Sequence, residues 1–139
     1  MHASRGFTLF ETLVGLALAT IVVAMGGIRL TEVLASSRLA AAARTLATTL
    51  RLARGRALAS GASVEARFDA PGLDYELRDG SGTLEVHALP RGVLFAGLPA
   101  RSRIVFGALG TAENGTVTLV AGARSRSVVV NQRGRVRLQ

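Results

Sequence analysis

Between Thr12 and Ile28 no residue is charged, and from Phe7 to Ile28 the only charge is Glu11. As a helix those residues would run about 33 Å, close to the ~30 Å apolar thickness of a bilayer. Leu9, Leu13, Val14, Leu16, Leu18, Ile21, Val22, Val23 and Met25 favour no single face. That distribution predicts a helix surrounded by lipid or by other apolar helices. Arg29 ends the run. From Leu30 to Ser60 the chain is alanine-rich and lacks proline, which favours continued helix. Leu39, Ala42, Ala43, Leu46, Leu50, Ala53 and Ala57 fall on one arc of about 100° and form a single apolar stripe. The stripe is expected to pack on a globular domain. Arg44 and Arg51 lie off it, in solvent or against neighbouring subunits. One helix from Thr8 to Ser60 would be on the order of 80 Å long, with Gly61 as its stop.

After Gly61 the period becomes strand-like. Residues 62–68, 73–78, 83–89, 92–95, 103–106, 115–121 and 125–131 read as short strands. Turn signals separate them: Asp69-Ala70-Pro71-Gly72, Asp79-Gly80-Ser81-Gly82, Glu113-Asn114-Gly115 and Ala121-Gly122-Ala123. The predicted class is α+β, a long N-terminal helix packed on a small antiparallel β-sheet domain.

Composition narrows the chemistry. The 139 residues fit one small domain with at most one appended element. The absence of cysteine excludes disulfides and thiolate metal sites. Two histidines, His2 and His87, supply a metal site or catalytic triad poorly. No cofactor is implied, and no nucleophile elbow or phosphate-binding glycine loop occurs. Asp74 and Glu76 flank Tyr75 and are expected to pair with arginines. His87 is expected on a strand surface. The chain reads as a non-enzyme.

The charge is uneven. All 17 basic residues are arginine, and residues 101–139 hold seven of them against the single acid Glu113. Such asymmetry suits a polyanionic partner or an anionic membrane, and equally a solvated basic face.

Three readings compete for the N-terminus. A secretory signal peptide could be cut near Ala17-Leu18-Ala19, but Glu11 would then lie inside its apolar region. A plain membrane anchor gives no reason for Glu11, whose carboxylate is costly in lipid. The third reading uses the whole string. Arg5-Gly6-Phe7-Thr8-Leu9-Phe10-Glu11 resembles the prepilin processing motif of type IV pilins and type II secretion pseudopilins. The resemblance implies a leader of residues 1–6, cut between Gly6 and Phe7 by a prepilin peptidase that also methylates Phe7. It implies a transmembrane and assembly helix over 7–29, an amphipathic continuation over 30–60 and an antiparallel β domain with a basic tail over 61–139. Glu11 would pair with the new α-amino group of a neighbouring subunit, since either buried charge alone is strongly unfavourable. Many major pilins carry a mid-helix proline; here only Gly26-Gly27 offers a kink.

The ending narrows the resemblance. Arg-Leu-Ala-Arg-Gly-Arg-Ala closing the helix, then Gly-Thr-Val-Thr-Leu, then Ser-Val-Val-Val-Asn-Gln-Arg-Gly-Arg-Val-Arg, is similar to the GspH/FimT group of minor pseudopilins. The group implies partner pilin or pseudopilin subunits, the bacterial inner membrane and a periplasmic globular domain. Gly134-Arg135-Val136-Arg137 also resembles the glycine-arginine-x-arginine motif of FimT proteins, which act in DNA uptake. If the tail is extended, Arg133, Arg135 and Arg137 project to one side about 6.6 Å apart, near a two-phosphate spacing. Arg124 and Arg126 would extend that patch. In the alternative, Gly134 makes a turn and Arg135 and Arg137 decorate the last strand.

Overall fold

The computed structural model describes residues 8–139, with the side chains of residues 25–30 left aside. The predicted leader, Gly6 and Phe7 lie outside the described residues. Helix α1 spans Leu9–Ser60 as one element. By internal packing the chain divides after Leu34 into two units.

In the first unit the apolar helix residues face outward. Leu9, Phe10 and Val23 are each at least 74% exposed, and Leu13, Leu16, Leu18, Ile21 and Val22 are exposed as well. Threonines within this stretch bond locally: Thr12 Oγ1 donates to the Leu9 carbonyl (2.8 Å) and Thr20 Oγ1 to that of Ala17 (2.7 Å). Their hydroxyls therefore ask nothing of the surroundings. Among the described residues, no helix is long and apolar enough to cross a membrane.

The second unit starts at Ala35 and holds the rest of α1 and eight strands in two antiparallel sheets. The strands are β1 (Val64–Asp69), β2 (Asp74–Asp79), β3 (Gly82–Ala88), β4 (Leu94–Gly97), β5 (Arg103–Phe106), β6 (Gly115–Ala121), β7 (Arg124–Val130) and β8 (Val136–Leu138). The orders are β3-β2-β1-β5 and β4-β6-β7-β8. We call these sheets A and B. The α+β class and its antiparallel pairing follow the expectation, but the one small sheet becomes two. The eighth strand is the last strand that the alternative reading of the tail set after a turn at Gly134.

All seven residues of the predicted helix stripe are buried, joined by Ala47 and Thr49. They form one core with the inward residues of both sheets, including Val64, Phe68, Leu77, Ile104, Phe106, Val117, Leu119, Val128 and Val130. Alternation does this in the strands: β1 buries Val64, Ala66 and Phe68 and turns Glu65, Arg67 and Asp69 outward. Leu39, Leu46 and Leu50 are no more than 2% exposed. Each such side chain contributes about 1.5–3 kcal/mol of burial. Phe68 of sheet A meets Phe95 of sheet B edge-on, centroids 6.0 Å apart, tying the two sheets together.

Turn chemistry fixes the hairpins. Asp79 Oδ1 accepts from Ser81 N (2.7 Å) and Ser81 Oγ (2.6 Å) in the β2–β3 turn. These bonds hold its carboxyl below the usual carboxylate range. The helix ends as anticipated: Gly61 adopts φ 65° and its N–H bonds the Ala57 carbonyl at 3.1 Å.

Candidate functional site

At the start of α1, Thr8 and Glu11 form a reciprocal cap. The Glu11 N–H donates to Thr8 Oγ1 (3.3 Å), while Thr8 N–H and Oγ1 donate to Glu11 Oε2 (3.4 Å each). This is a capping box, which satisfies helix-end donors and places a carboxylate at the positive end of the helix dipole. The sequence contains its signal, a threonine three residues before a glutamate ahead of an apolar run. Glu11 is exposed, so the carboxylate that caps its own helix is also reachable by another chain.

The arginine tail differs from an extended row. Asn131 to Arg135 reverse the chain: Gly134 N–H bonds the Asn131 carbonyl (2.8 Å), Asn131 N–H bonds the Arg135 carbonyl (3.2 Å), and Asn131 Oδ1 accepts from Arg135 N (2.9 Å). Arg133 stands in that turn, and only Arg135 and Arg137 keep the strand alternation around buried Val136. Gly134 is required by packing as well as by its φ of 69°. A Cβ there would lie 2.1 Å from the Gly110 carbonyl oxygen and 2.7 Å from Arg54 Nε.

Two helix arginines hold this region. Arg54 Nε donates to the Gly110 carbonyl (3.0 Å) and Arg51 Nη2 to the Val136 carbonyl (3.3 Å). Arg44 and Arg51 are both exposed, as expected of residues off the stripe, and Arg51 in addition reaches back to β8.

Arg124 and Arg126 do not join the tail arginines. Arg137 pairs across with Val129, while Arg124 and Arg126 share strand parity with Val128 and Val130, whose side chains enter the core. The β7 arginines therefore project from the helix-facing side of sheet B, beside Ser36, Leu39 and Gln139. Arg137 projects from the opposite side. The five-arginine patch expected from sequence is split by the sheet.

His87 is not a plain surface residue. It is half-buried, stacked on Tyr75 with centroids 5.2 Å apart, and its Nε2 lies 3.1 Å from Glu85 Oε2. Arg56 Nη2 of the helix closes on the other oxygen of Glu85. The His87 and Arg56 bonds hold the Glu85 carboxyl below its usual range. Tyr75 is pushed upward by burial, offset in part by a bond with Thr49. Glu76 pairs with Arg78 (3.5 Å), as expected of an ion-paired carboxylate. Among the described residues, Asp74 makes no such pair, and no three His, Cys, Asp or Glu side chains converge as a metal site.

Comparison with known proteins agrees with this architecture. The profile of the prokaryotic N-terminal methylation motif matches residues 1–27, and that of type II transport protein GspH matches residues 42–134, more than half of the chain. No curated protein matches the chain significantly. Among solved structures, the type IV minor pilin FimU of Pseudomonas aeruginosa aligns at 20% identity and TM-score 0.62, covering 75% of this chain and 90% of its own. The minor pseudopilin EpsH of the Vibrio cholerae type 2 secretion system aligns at 17% identity and TM-score 0.61, covering 73% and 96%. At such identities the structures establish the shared fold. With the methylation motif ahead of the matched domain, the chain belongs to the type II transport protein GspH family and is a pilin-like subunit of the minor pseudopilin and minor pilin kind.

Proposed function

We propose that the chain is made as a prepilin, cut between Gly6 and Phe7, methylated on Phe7 and assembled through the apolar start of α1 into a type II secretion pseudopilus or a type IV pilus. The observation that carries this is the methylation motif at residues 1–27 ahead of the GspH match in one chain. Before assembly, residues 7–29 anchor the protein in the inner membrane as a single pass, with the domain in the periplasm. The support lies in the sequence, where residues 7–28 carry the single charge Glu11 over a bilayer's length. It lies also in the described part of that run, where residues 9–24 are exposed and Thr12 and Thr20 bond their own helix. After cleavage the chain begins one residue ahead of the Thr8–Glu11 cap. Glu11 then has two available partners, its own helix start and the amine of an adjacent subunit.

Intact-mass analysis of the protein from its host tests the processing. A mature chain beginning at methylated Phe7 is expected; cleavage after Ala19, or an uncut chain, refutes the proposal.

The second reading, a DNA receptor for uptake, has narrower support. It rests on the exposed Arg133, Arg135 and Arg137 around the β7–β8 turn. Arg124 and Arg126 fall on the other side of the sheet, and Gly134 is accounted for by its close packing. The structural role as a filament subunit is therefore the function favoured here.

A further inference from the structure

The outward face of sheet A carries an arrangement that assembly through α1 does not use. The strand register sets Arg67 of β1 directly opposite Arg103 of β5 on one side and Glu76 of β2 on the other. Like charges facing each other across an antiparallel pair repel. Glu76 does not relieve this, because its two oxygens accept from Arg78 Nη1 (3.5 Å) and Thr83 Oγ1 (3.0 Å). Glu65 relieves it in part, accepting from Arg103 Nη1 at 3.4 Å. The Nε of Arg103 is buried and donates to no acceptor among the described residues. Arg67 is exposed and, among those residues, makes no hydrogen bond or ion pair. Both arginines line an open pocket of about 440 Å³ with Ser63, Glu65, Arg78 and Asp79.

A buried donor without an acceptor is unfavourable, and the facing arginines add to that cost. One group resolves both, an anion with two oxygens set between them. We propose that this pocket is a carboxylate-binding site that receives an acidic side chain of a protein partner. A carboxylate is planar and offers two acceptors to the guanidinium fork. The same outward face bears Glu65, Asp69, Asp74 and Glu76, alternating with the buried residues of β1 and β2. Those acids repel a polyanion such as nucleic acid, whereas a single carboxylate brings one charge to the one place where arginines face each other. Asp79 does not fill the position, since its Oδ1 is held by Ser81. The site lies on sheet A, apart from the tail arginines of sheet B.

The test uses the full chain in detergent micelles, following the arginine Nε–Hε signals by NMR. The probe is glutamate blocked at both ends, with blocked glutamine, inorganic phosphate and a short DNA duplex as comparisons. Blocked glutamate is expected to shift the Arg103 signal saturably, and blocked glutamine to leave it unmoved. Arg67→Gln is expected to weaken that binding about tenfold, the size of one charge-assisted contact. Its melting midpoint should stay or rise, because a like-charge pair is removed. The site is overturned by an unmoved Arg103 signal, by equal affinity in Arg67→Gln, or by phosphate or duplex acting at lower concentration than the carboxylate. A lowered midpoint would make Arg67 a structural residue and overturn it too.

Discussion

Replacing Gly134 by alanine separates two costs that usually arrive together. At φ 69° a side chain adds backbone strain, about 1–2 kcal/mol for an L-residue in the left-handed region. Here the new Cβ also meets the Gly110 carbonyl at 2.1 Å and Arg54 Nε at 2.7 Å. Backbone must move to clear the first, which is overpacking of about 1–3 kcal/mol. The same movement disturbs the 3.0 Å bond from Arg54 to that carbonyl. A bond from a charged donor contributes about 1.5–3 kcal/mol. A combined loss of roughly 3–5 kcal/mol follows, allowing for partial relaxation. Gly122 provides the control. It has φ 58° in the β6–β7 turn, but nothing lies within 4 Å of an added Cβ. Gly122→Ala should therefore cost only about 1 kcal/mol. At about 4 °C per kcal/mol for a domain of this size, the two variants should melt roughly 12–20 °C and ~4 °C below the parent. The chain has one tyrosine and no tryptophan, and Tyr75 is buried in the core. Near-ultraviolet circular dichroism of that ring in the full chain therefore reports the tertiary fold directly. Melting of the two variants within about 2 °C of each other would refute the steric account.

Two further outcomes follow from charges described above. Glu85 is held below its usual range by His87 and Arg56, so it favours the fold above the ordinary carboxylate pKa and loses that effect as pH falls through its lowered folded value. The parent should melt above Glu85→Gln near neutral pH, and the gap should close as pH falls through and below the ordinary carboxylate range; a gap unchanged on acidification refutes the pairing. For any duplex binding by the tail, the split of the arginines leaves two or three phosphate contacts. The log–log salt slope should lie between about −1.8 and −2.7, whereas one five-arginine patch would give about −4.5. Titration at several salt concentrations distinguishes them.

The helix was legible because its information is local. Each of the seven stripe residues from Leu39 to Ala57 is buried, and the period that identifies them needs only a window of a few turns. Most strands and turns were legible for the same reason, Arg103–Phe106 and Gly115–Ala121 to the residue. The partition into two sheets was not. It depends on β1 choosing β5, across more than thirty residues, over the strands nearer in sequence. Alternation names the inward residues and is silent on the neighbour. Strand β8 has three residues and a single internal alternation, Val136-Arg137-Leu138, too short to register as a period. The tail arginines looked like one patch because sequence proximity was read as spatial proximity; the parity of β7 and β8 places them on opposite sides. Thr8 and Glu11 are the reverse case, a local signal three residues apart that needs no knowledge of the fold.

The bonds from Arg51 and Arg54 close loops of 85 and 56 residues. Contacts of such separation carry a large closure entropy and form after local hairpins and helical turns are in place. β8 and the Gly110 turn are thus expected to be late additions to the folding domain, fastened by Arg51 and Arg54 respectively. Perturbing those two bonds should leave the folding rate nearly intact and act on unfolding. The two guanidinium contacts then add to the domain's lifetime against opening, while its speed of formation belongs to the alanine-rich helix and the short hairpins.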